Sequence, residues 1–299
     1  MASKIHNELK TVRDVIRYAV SRFNDAQLAF GHGSDNAWDE AVYLVLSTLH
    51  LPLDTLDPFL DARLLEDEKK KCISLIELRI KKRVPLAYLT GEAWLQGHRF
   101  LTDKRVIVPR SPISELLADQ LEPWVDEPDA VQEVLDLCTG SGCLAILAAL
   151  AFPNARIDAV DLSEHAIRLA QRNVELYKLT DRVSVLQGDL YTPVADRQYD
   201  VIVCNPPYVN SHAMATLPSE YQHEPALALA GGEDGMDTIR DILGQAASHL
   251  AQDGFIILEI GNEYEHFMNA FPTLNPVFLE TEHSDDSLLL LTREQLQTV

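Results

Sequence analysis

The sequence predicts an α/β fold, a mostly parallel sheet of seven strands covered by helices on both faces, with a small helical domain ahead of it and a β-hairpin linker between the two. Three observations predict it. From Val131 onward, short apolar runs alternate with segments of helical periodicity, the pattern of parallel strands joined by crossover helices. The first of those runs ends in a glycine turn, residues 135–143 (LDLCTGSGC), which leads directly into an apolar helix. The first ~85 residues carry only the helical period.

Leu9, Val12, Ile16, Ala19 and Phe23 define one helix stripe, Ala37, Ala41, Leu44, Val45 and Leu49 a second, and Cys72, Leu75, Ile76 and Ile80 a third. Together they make residues 1–90 a helical domain. Between the first two helices lies GHGSDNAWDE, residues 31–40. Asp35 or Asn36 can cap the second helix, and Asp39 with Glu40 suits its first turn. Capping does not explain Gly31-His32-Gly33 or Trp38, so this corner is a candidate for partner binding. In the linker, residues 91–110, Gly97 lies between Trp94 and Phe100 and the alternating Arg105-Val106-Ile107-Val108 follows, which reads as a hairpin over 92–108. Pro109-Arg110-Ser111-Pro112 breaks the chain before a helix near 113–121.

Residues 111–299 form the α/β domain. Strands are expected near 132–137, 156–160, 183–187, 199–204, 254–260, 276–281 and 287–292, and helices near 142–151, 163–178, 236–250 and 263–270. Ligands of such a sheet bind at the carboxyl ends of its strands.

Composition narrows the functional classes. The start, MASKIHNELK, is polar, and the longest clean apolar run, Cys143 to Phe152, is too short to span a bilayer, so no membrane role and a cytoplasmic location are expected. Cys72, Cys138, Cys143 and Cys204 form no CxxC pair and read as small buried hydrophobes. The ten histidines include no HExxH, and there is no GxSxG, so no metal site and no serine-hydrolase site is expected. The net charge of −21 is uneven: residues 1–110 carry +2 and residues 111–299 carry −23. The second part repels a phosphate backbone and attracts basic surfaces. Lys69-Lys70-Lys71 and Lys81-Lys82-Arg83 read first as a solvated helix face and second as an auxiliary RNA contact.

In the glycine turn, Gly140 and Gly142 allow a tight bend and let a ligand approach the helix N-terminus. Asp161, at the end of the second strand, can accept both hydroxyls of a ribose. A nucleoside-bearing cofactor follows, although Gly140 to Ala145 also fits the dinucleotide form GxGxxA. Two residues decide between the readings. Asp136, ahead of the loop, suits the ammonium of an amino-acid moiety better than a pyrophosphate. Asp189, after the third strand, can accept from the adenine amino group. Adenosine at one end and an amino acid at the other describe S-adenosyl-L-methionine.

The fourth strand ends in Asn205-Pro206-Pro207-Tyr208. Neither proline can donate to a ladder, and each holds the residue before it extended, which leaves a rigid set of acceptors. The motif resembles the NPPY signature of methyltransferases that act on planar amino groups. An amide nitrogen is nearly non-basic, so a site must orient it rather than deprotonate it. The Asn205 carboxamide oxygen and the Pro206 carbonyl can each accept one N–H, and Tyr208 can pack on the planar group.

With RVPLAYLTGEAWLQGHRF, VPRSPISELL, LDLCTGSGC, NPPY and EPALALAGGEDGMD in order, the whole chain resembles the glutamine N5-methyltransferase (HemK-like) family. GHGSDNAWDE and PRSPISE resemble its branch acting on large-subunit ribosomal protein L-three (uL3), supporting ribosome assembly. The resemblance implies a class I S-adenosylmethionine-dependent, Rossmann-like fold. It implies cofactor contacts from Cys138, Thr139, Gly140, Ser141, Gly142, Asp161, Leu190 and Asn205, and glutamine contacts from Asn205, Pro206, Pro207 and Tyr208. Arg110 and Glu115 would border the cofactor. Glu224-Pro225 and Gly231 to Gly235 lie in the long connection after NPPY, which reads as a surface loop and helix entry or, from its length beside the site, as a lid or substrate wall. Cys138 stands where the family has its first loop glycine. The rival readings are a release factor as substrate, an adenine amine in RNA or DNA, and a non-catalytic assembly factor. No motif encodes the oligomeric state.

Overall fold

The computed structural model describes residues 8–282 and 286–297, so the polar start at 1–7 lies outside the described residues. The chain divides into two compact units, Met1–Ala93 with Pro218–His223, and Trp94–Leu217 with Glu224–Val299.

The first unit is helical. α1 (Val12–Asp25) starts on a capping box in which Thr11 and Asp14 exchange side-chain and backbone bonds. α2 (Ala37–Thr48) is capped by Asn36, whose side-chain oxygen accepts from the N–H of Trp38 and of Asp39. α3 (Glu66–Lys82) starts earlier than its apolar stripe, because Glu66, Asp67 and Glu68 suit the positive end of its dipole and Arg79, Lys81 and Lys82 suit the negative end. α4 (Leu86–Thr90) closes the unit. Val15, Ile16, Ala19, Phe23, Leu44, Val45, Cys72 and Ile76 pack as one core. Neither basic cluster on α3 is wholly a solvated face. Lys69 is buried against the Leu9 carbonyl and Glu66, and Arg83 is bound to Glu220 and to the carbonyls of Ala26 and Gln27.

Pro218–His223 joins this unit across a long sequence gap. Arg79 is fully buried, donating to Glu40 at 2.7 Å, to the Ala29 carbonyl at 2.9 Å and to Glu220 at 3.4 Å. Burial lifts the Glu40 carboxyl despite Arg79. Burial pushes Glu220 the same way, but the Ala29 N–H and Arg83 outweigh it and the carboxyl lies below the usual range. The same segment accounts for the Gly-His-Gly corner. A Cβ on Gly31 would stand 2.6 Å from the Tyr221 hydroxyl, and the His32 ring lies 4.3 Å from the Tyr221 ring.

A hairpin of β1 (Glu92–Leu95) and β2 (His98–Leu101) follows, turning at Gln96 and Gly97, both at positive φ. Arg105 to Val108 are not part of it. Arg105 turns back on Asp103, and the Val108 N–H donates to Glu224 instead of to a strand. α5 (Ile113–Ala118) ends short of residue 121 because Gln120 and Leu121 adopt positive φ.

The second unit holds β3 (Glu133–Leu137), α6 (Cys143–Ala151), β4 (Arg156–Asp161), α7 (Glu164–Leu176), β5 (Val183–Gln187), β6 (Tyr199–Cys204), α8 (Ser211–Thr216), α9 (Asp237–His249), β7 (Leu250–Glu259), α10 (Tyr264–Ala270), β8 (Val277–Phe278), β9 (Leu288–Thr292) and α11 (Arg293–Leu296). The sheet order is β5-β4-β3-β6-β7-β9-β8. β3 to β7 run parallel, while β9 is antiparallel to both β7 and β8. α9 runs directly into β7, so that strand begins at Leu250 rather than 254. β8 keeps only two residues on the sheet edge, after Pro276, which has no N–H to donate. Side chains of alternating strand residues fill two cores. Val134, Val201 and Val203 pack with α6, and Leu135, Leu137 and Ile202 pack with α9 and α10. The chain leaves β3 toward β4 on one side and β6 lies on the other, so a crevice opens at the carboxyl ends of β3 and β6. Among the described residues no helix is long and apolar enough to cross a membrane.

Candidate active site

A cleft opens at that switch point. Its floor is Cys138 and Gly140; Asp161, Leu162 and Ser163 form one wall, continued by Gly188, Asp189 and Leu190; Asn205 and Pro207 form the opposite wall. The carboxyl ends of β3, β4, β5 and β6 therefore meet there.

The loop after β3 is held from below. Asp136 is fully buried, and its Oδ2 accepts from the Thr139 hydroxyl at 2.5 Å and from the Ala145 N–H at 2.9 Å. Its Oδ1 has no partner among the described residues. Burial pushes this carboxyl up to about 7, against the pull of those two donors. Asp161 takes the Gly140 N–H on Oδ2 and the Ser163 N–H on Oδ1, both at 2.8 Å, so it sets the loop as well as lining the cleft. Burial lifts it too.

Asp136, Thr139, Ser141 and Gly142 are not among the residues lining the cleft; Asp136 lies beneath its floor. The Thr139 hydroxyl is spent on Asp136, and Asn173 of α7 holds the Ser141 carbonyl at 2.8 Å. Gly142 stands at φ 78, and a Cβ there would lie 3.1 Å from the Cβ of Ala170. This glycine therefore serves a left-handed turn and the approach of α7. Cys138 adopts φ 59 with its side chain in place, the left-handed shape the family gives to glycine. Burial raises the thiols of Cys72 to about 11 and of Cys143 to about 12, and raises that of Cys204 well above its ordinary value, so none of these three is a thiolate nucleophile at neutral pH. Among the described residues no group of three His, Cys, Asp or Glu side chains could hold a metal ion.

Of the acceptor loop, Asn205 and Pro207 face the cleft and Pro206 is buried. Tyr208 turns elsewhere. Its hydroxyl donates to Glu259 at 2.8 Å, and it is not among the residues lining the cleft.

Two further walls come from the segment after the hairpin and from the EPALALAGGEDGMD stretch. Arg105, Val106 and Ile107 line one side of the opening, and Pro225, Leu227 and Ala228 another. One buried carboxylate joins them: Glu224 accepts from Arg110 through both oxygens, at 2.6 and 2.8 Å, and from the Val108 N–H at 3.0 Å. Arg110 thus fixes the cleft wall instead of lining the cleft, and Glu115 accepts from the Glu282 N–H, away from it.

The strand order, with its antiparallel β9, and the placement of this cleft put the second unit among the class I methyltransferases. Residues 112–220 match the family model described as methyltransferase small domain. The catalytic domain of hMettl16, solved in complex with MAT2A 3'UTR hairpin 6, shares the fold at TM-score 0.50 and 16% identity, over 78% of this chain and 84% of that one. The ribosomal protein uL3 glutamine methyltransferase of Bordetella pertussis is 62% identical over 100% of both chains, and that of Burkholderia pseudomallei is 58% identical over 97% of both. The chain belongs to this family of glutamine methyltransferases. The cofactor of the class is S-adenosylmethionine, and the residues present fit it: a glycine floor, the buried Asp136 with one unengaged oxygen, and Asp161 and Asp189 along the nucleoside wall.

Proposed function

We propose that this enzyme methylates the side-chain amide nitrogen of a glutamine in ribosomal protein uL3. The observation that carries the reading is that Asn205 and Pro207 face the same cleft as Gly140 and Asp161. Bound S-adenosylmethionine supplies an electrophilic methyl group on a sulfonium. The protein's own groups do the rest by orientation. Asp136 Oδ1 receives the cofactor ammonium, Asp161 the ribose, and Asp189 the adenine amine. The Asn205 carboxamide oxygen and the Pro206 carbonyl each accept one N–H of the glutamine amide, which turns its third face toward the methyl group. Alignment of this kind lowers a barrier by ~7–11 kcal/mol. Fixed acceptors would also stabilise the positive charge that grows on nitrogen as the N–C bond forms, the sulfonium S–C bond breaks and a neutral thioether leaves; the methylated amide cation is a strong acid and gives its extra proton to solvent.

The net charge of −23 over residues 111–299 suits a basic protein substrate and opposes a nucleic-acid one. A ribosomal substrate also fits a cytoplasmic enzyme whose helical unit recognises the protein. Lys70, Lys71, Lys81 and Lys82 are the exposed lysines of the two clusters on that unit, and they suit an auxiliary contact with rRNA. Asn205→Ala tests the acceptor role. It is expected to lower kcat by about 10²–10³-fold while the cofactor Kd stays within about fivefold. Near-wild-type kcat would overturn the reading.

A further inference from the structure

The turn after β7, residues 259–263, holds the acceptor loop from behind. Cys204 and Leu258 are register partners, so Glu259 stands level with Asn205, the first residue of the loop. Its neighbours in sequence, Ile256, Ile257, Leu258 and Ile260, are buried and apolar, as the centre of a sheet demands. A carboxyl at this position costs stability unless it is fully hydrogen-bonded. Both its oxygens are used. Oε1 accepts from the Tyr208 hydroxyl at 2.8 Å and Oε2 from the Ser111 hydroxyl at 2.5 Å. Burial lifts this carboxyl, and the two hydroxyls only partly offset the rise.

The same turn holds the loop twice more. A Cβ on Gly261 would stand 2.3 Å from Tyr208 Cε2, so the tyrosine ring lies directly on that glycine. Glu263 accepts from the Asn210 side chain at 2.8 Å. Tyr208 and Asn210 are thereby tied to one short segment, and Ser111 ties PRSPISE to it as well.

We propose that Glu259 is a positioning residue for amide methylation: by holding the Tyr208 hydroxyl it fixes the backbone through Asn205-Pro206-Pro207, and with it the two acceptors that orient the glutamine nitrogen. This rests on the reading of NPPY as the amide-binding loop. It also assigns the tyrosine a role as anchor rather than as a cover on the substrate. Positional error of about 1 Å at such a site costs roughly 10²-fold in rate. The groups that hydrogen-bond Glu259 are neutral hydroxyls, and the nearby Arg110 charge is already paired with Glu224, so the hold on Tyr208 is a matter of distance. Glutamine can accept from Tyr208 and donate to Ser111, so it should serve nearly as well.

The test uses the full chain, unmodified uL3 and S-adenosylmethionine. Tyr208→Phe and Glu259→Leu are each expected to lower kcat about 10- to 100-fold, with cofactor Kd within about twofold. Glu259→Gln should remain within about threefold of wild type, and the Tyr208→Phe/Glu259→Leu pair should be no worse than the worse single variant. Should Glu259→Leu fail to fold, Tyr208→Phe and Glu259→Gln still decide. Tyr208→Phe at wild-type kcat, additive losses in the double variant, or Glu259→Gln as impaired as Glu259→Leu would overturn the proposal. Asn205→Ala separates the two levels. If it is inactive while Tyr208→Phe and Glu259→Leu are fully active, only the role of Glu259 falls; if it is itself fully active, the acceptor reading falls.

Discussion

If Asp136 receives the cofactor ammonium, as proposed, cofactor binding is a titration. Full burial holds its carboxyl at about 7 in the free protein, and only the carboxylate can receive an ammonium. Binding must therefore expel a proton whenever the pH lies below that value, and the apparent Kd is the intrinsic one multiplied by one plus ten to the power of pKa minus pH. Between pH 7.5 and pH 6 that factor rises about eightfold, trimmed to about sixfold because the cofactor's own α-amino group, near 7.8, is partly neutral at the higher pH. Isothermal titration in buffers of different ionisation enthalpy reads both quantities. We expect binding to weaken about sixfold on going down to pH 6, with close to one proton released there per cofactor bound. Asp136→Asn should bind at least about tenfold more weakly at pH 7.5 and lose the proton release. The sign for folding is the opposite. A carboxyl raised above its unfolded value of about 3.9 makes the free protein bind more protons than the unfolded chain between that value and 7, so its stability falls as pH rises through this window. A wild-type Kd that is flat from pH 6 to 7.5, together with unimpaired binding by Asp136→Asn, would refute the assignment of Oδ1 to the ammonium.

Gly142→Ala is expected to destabilise the second unit by about 2 kcal/mol, from left-handed strain and the crowded Ala170, seen as a lower thermal midpoint that saturating cofactor partly restores. Glu220→Ala, which leaves the buried Arg79 short of a partner, should cost the helical unit about 3 kcal/mol, detected as an earlier urea transition in far-UV circular dichroism. Cofactor Kd should not change in Glu220→Ala, because every residue lining the cleft belongs to the second unit.

The chemical centre was legible wherever one strand and the turn after it lie together in sequence. Cys138, Gly140, Asp161, Asp189-Leu190, Asn205 and Pro207 each close or follow a strand, and parallel order alone brings those ends to one edge. Periodicity could not show the walls. Val106 and Ile107 alternate like a strand, yet they line a cleft because Glu224 takes the Val108 N–H and Arg110, a pairing over a separation of 114 residues. Pro218–His223 is similar: nothing in Glu220 reveals that its carboxylate belongs with Arg79. Tyr208 and Gly142 stand out in the sequence, but their partners, Glu259 and Ala170, come from other elements that no periodicity reveals. The unexplained Gly31-His32-Gly33 was a usable signal. Gly31, beside the buried His32, marks a close approach, here by Tyr221, whereas Gly33 has open space around it.

The central claim is a chemical identity: the substrate atom is a glutamine amide nitrogen of uL3. Peptide mass spectrometry tests it after the full chain has been incubated with S-adenosylmethionine and, in parallel, unmodified uL3, an unmodified release factor and adenine-containing RNA. The account predicts one added methyl group on the side-chain amide of a single uL3 glutamine, lost with Asn205→Ala. Methylation of the release factor with none on uL3, or methylated adenine in the RNA, would contradict it.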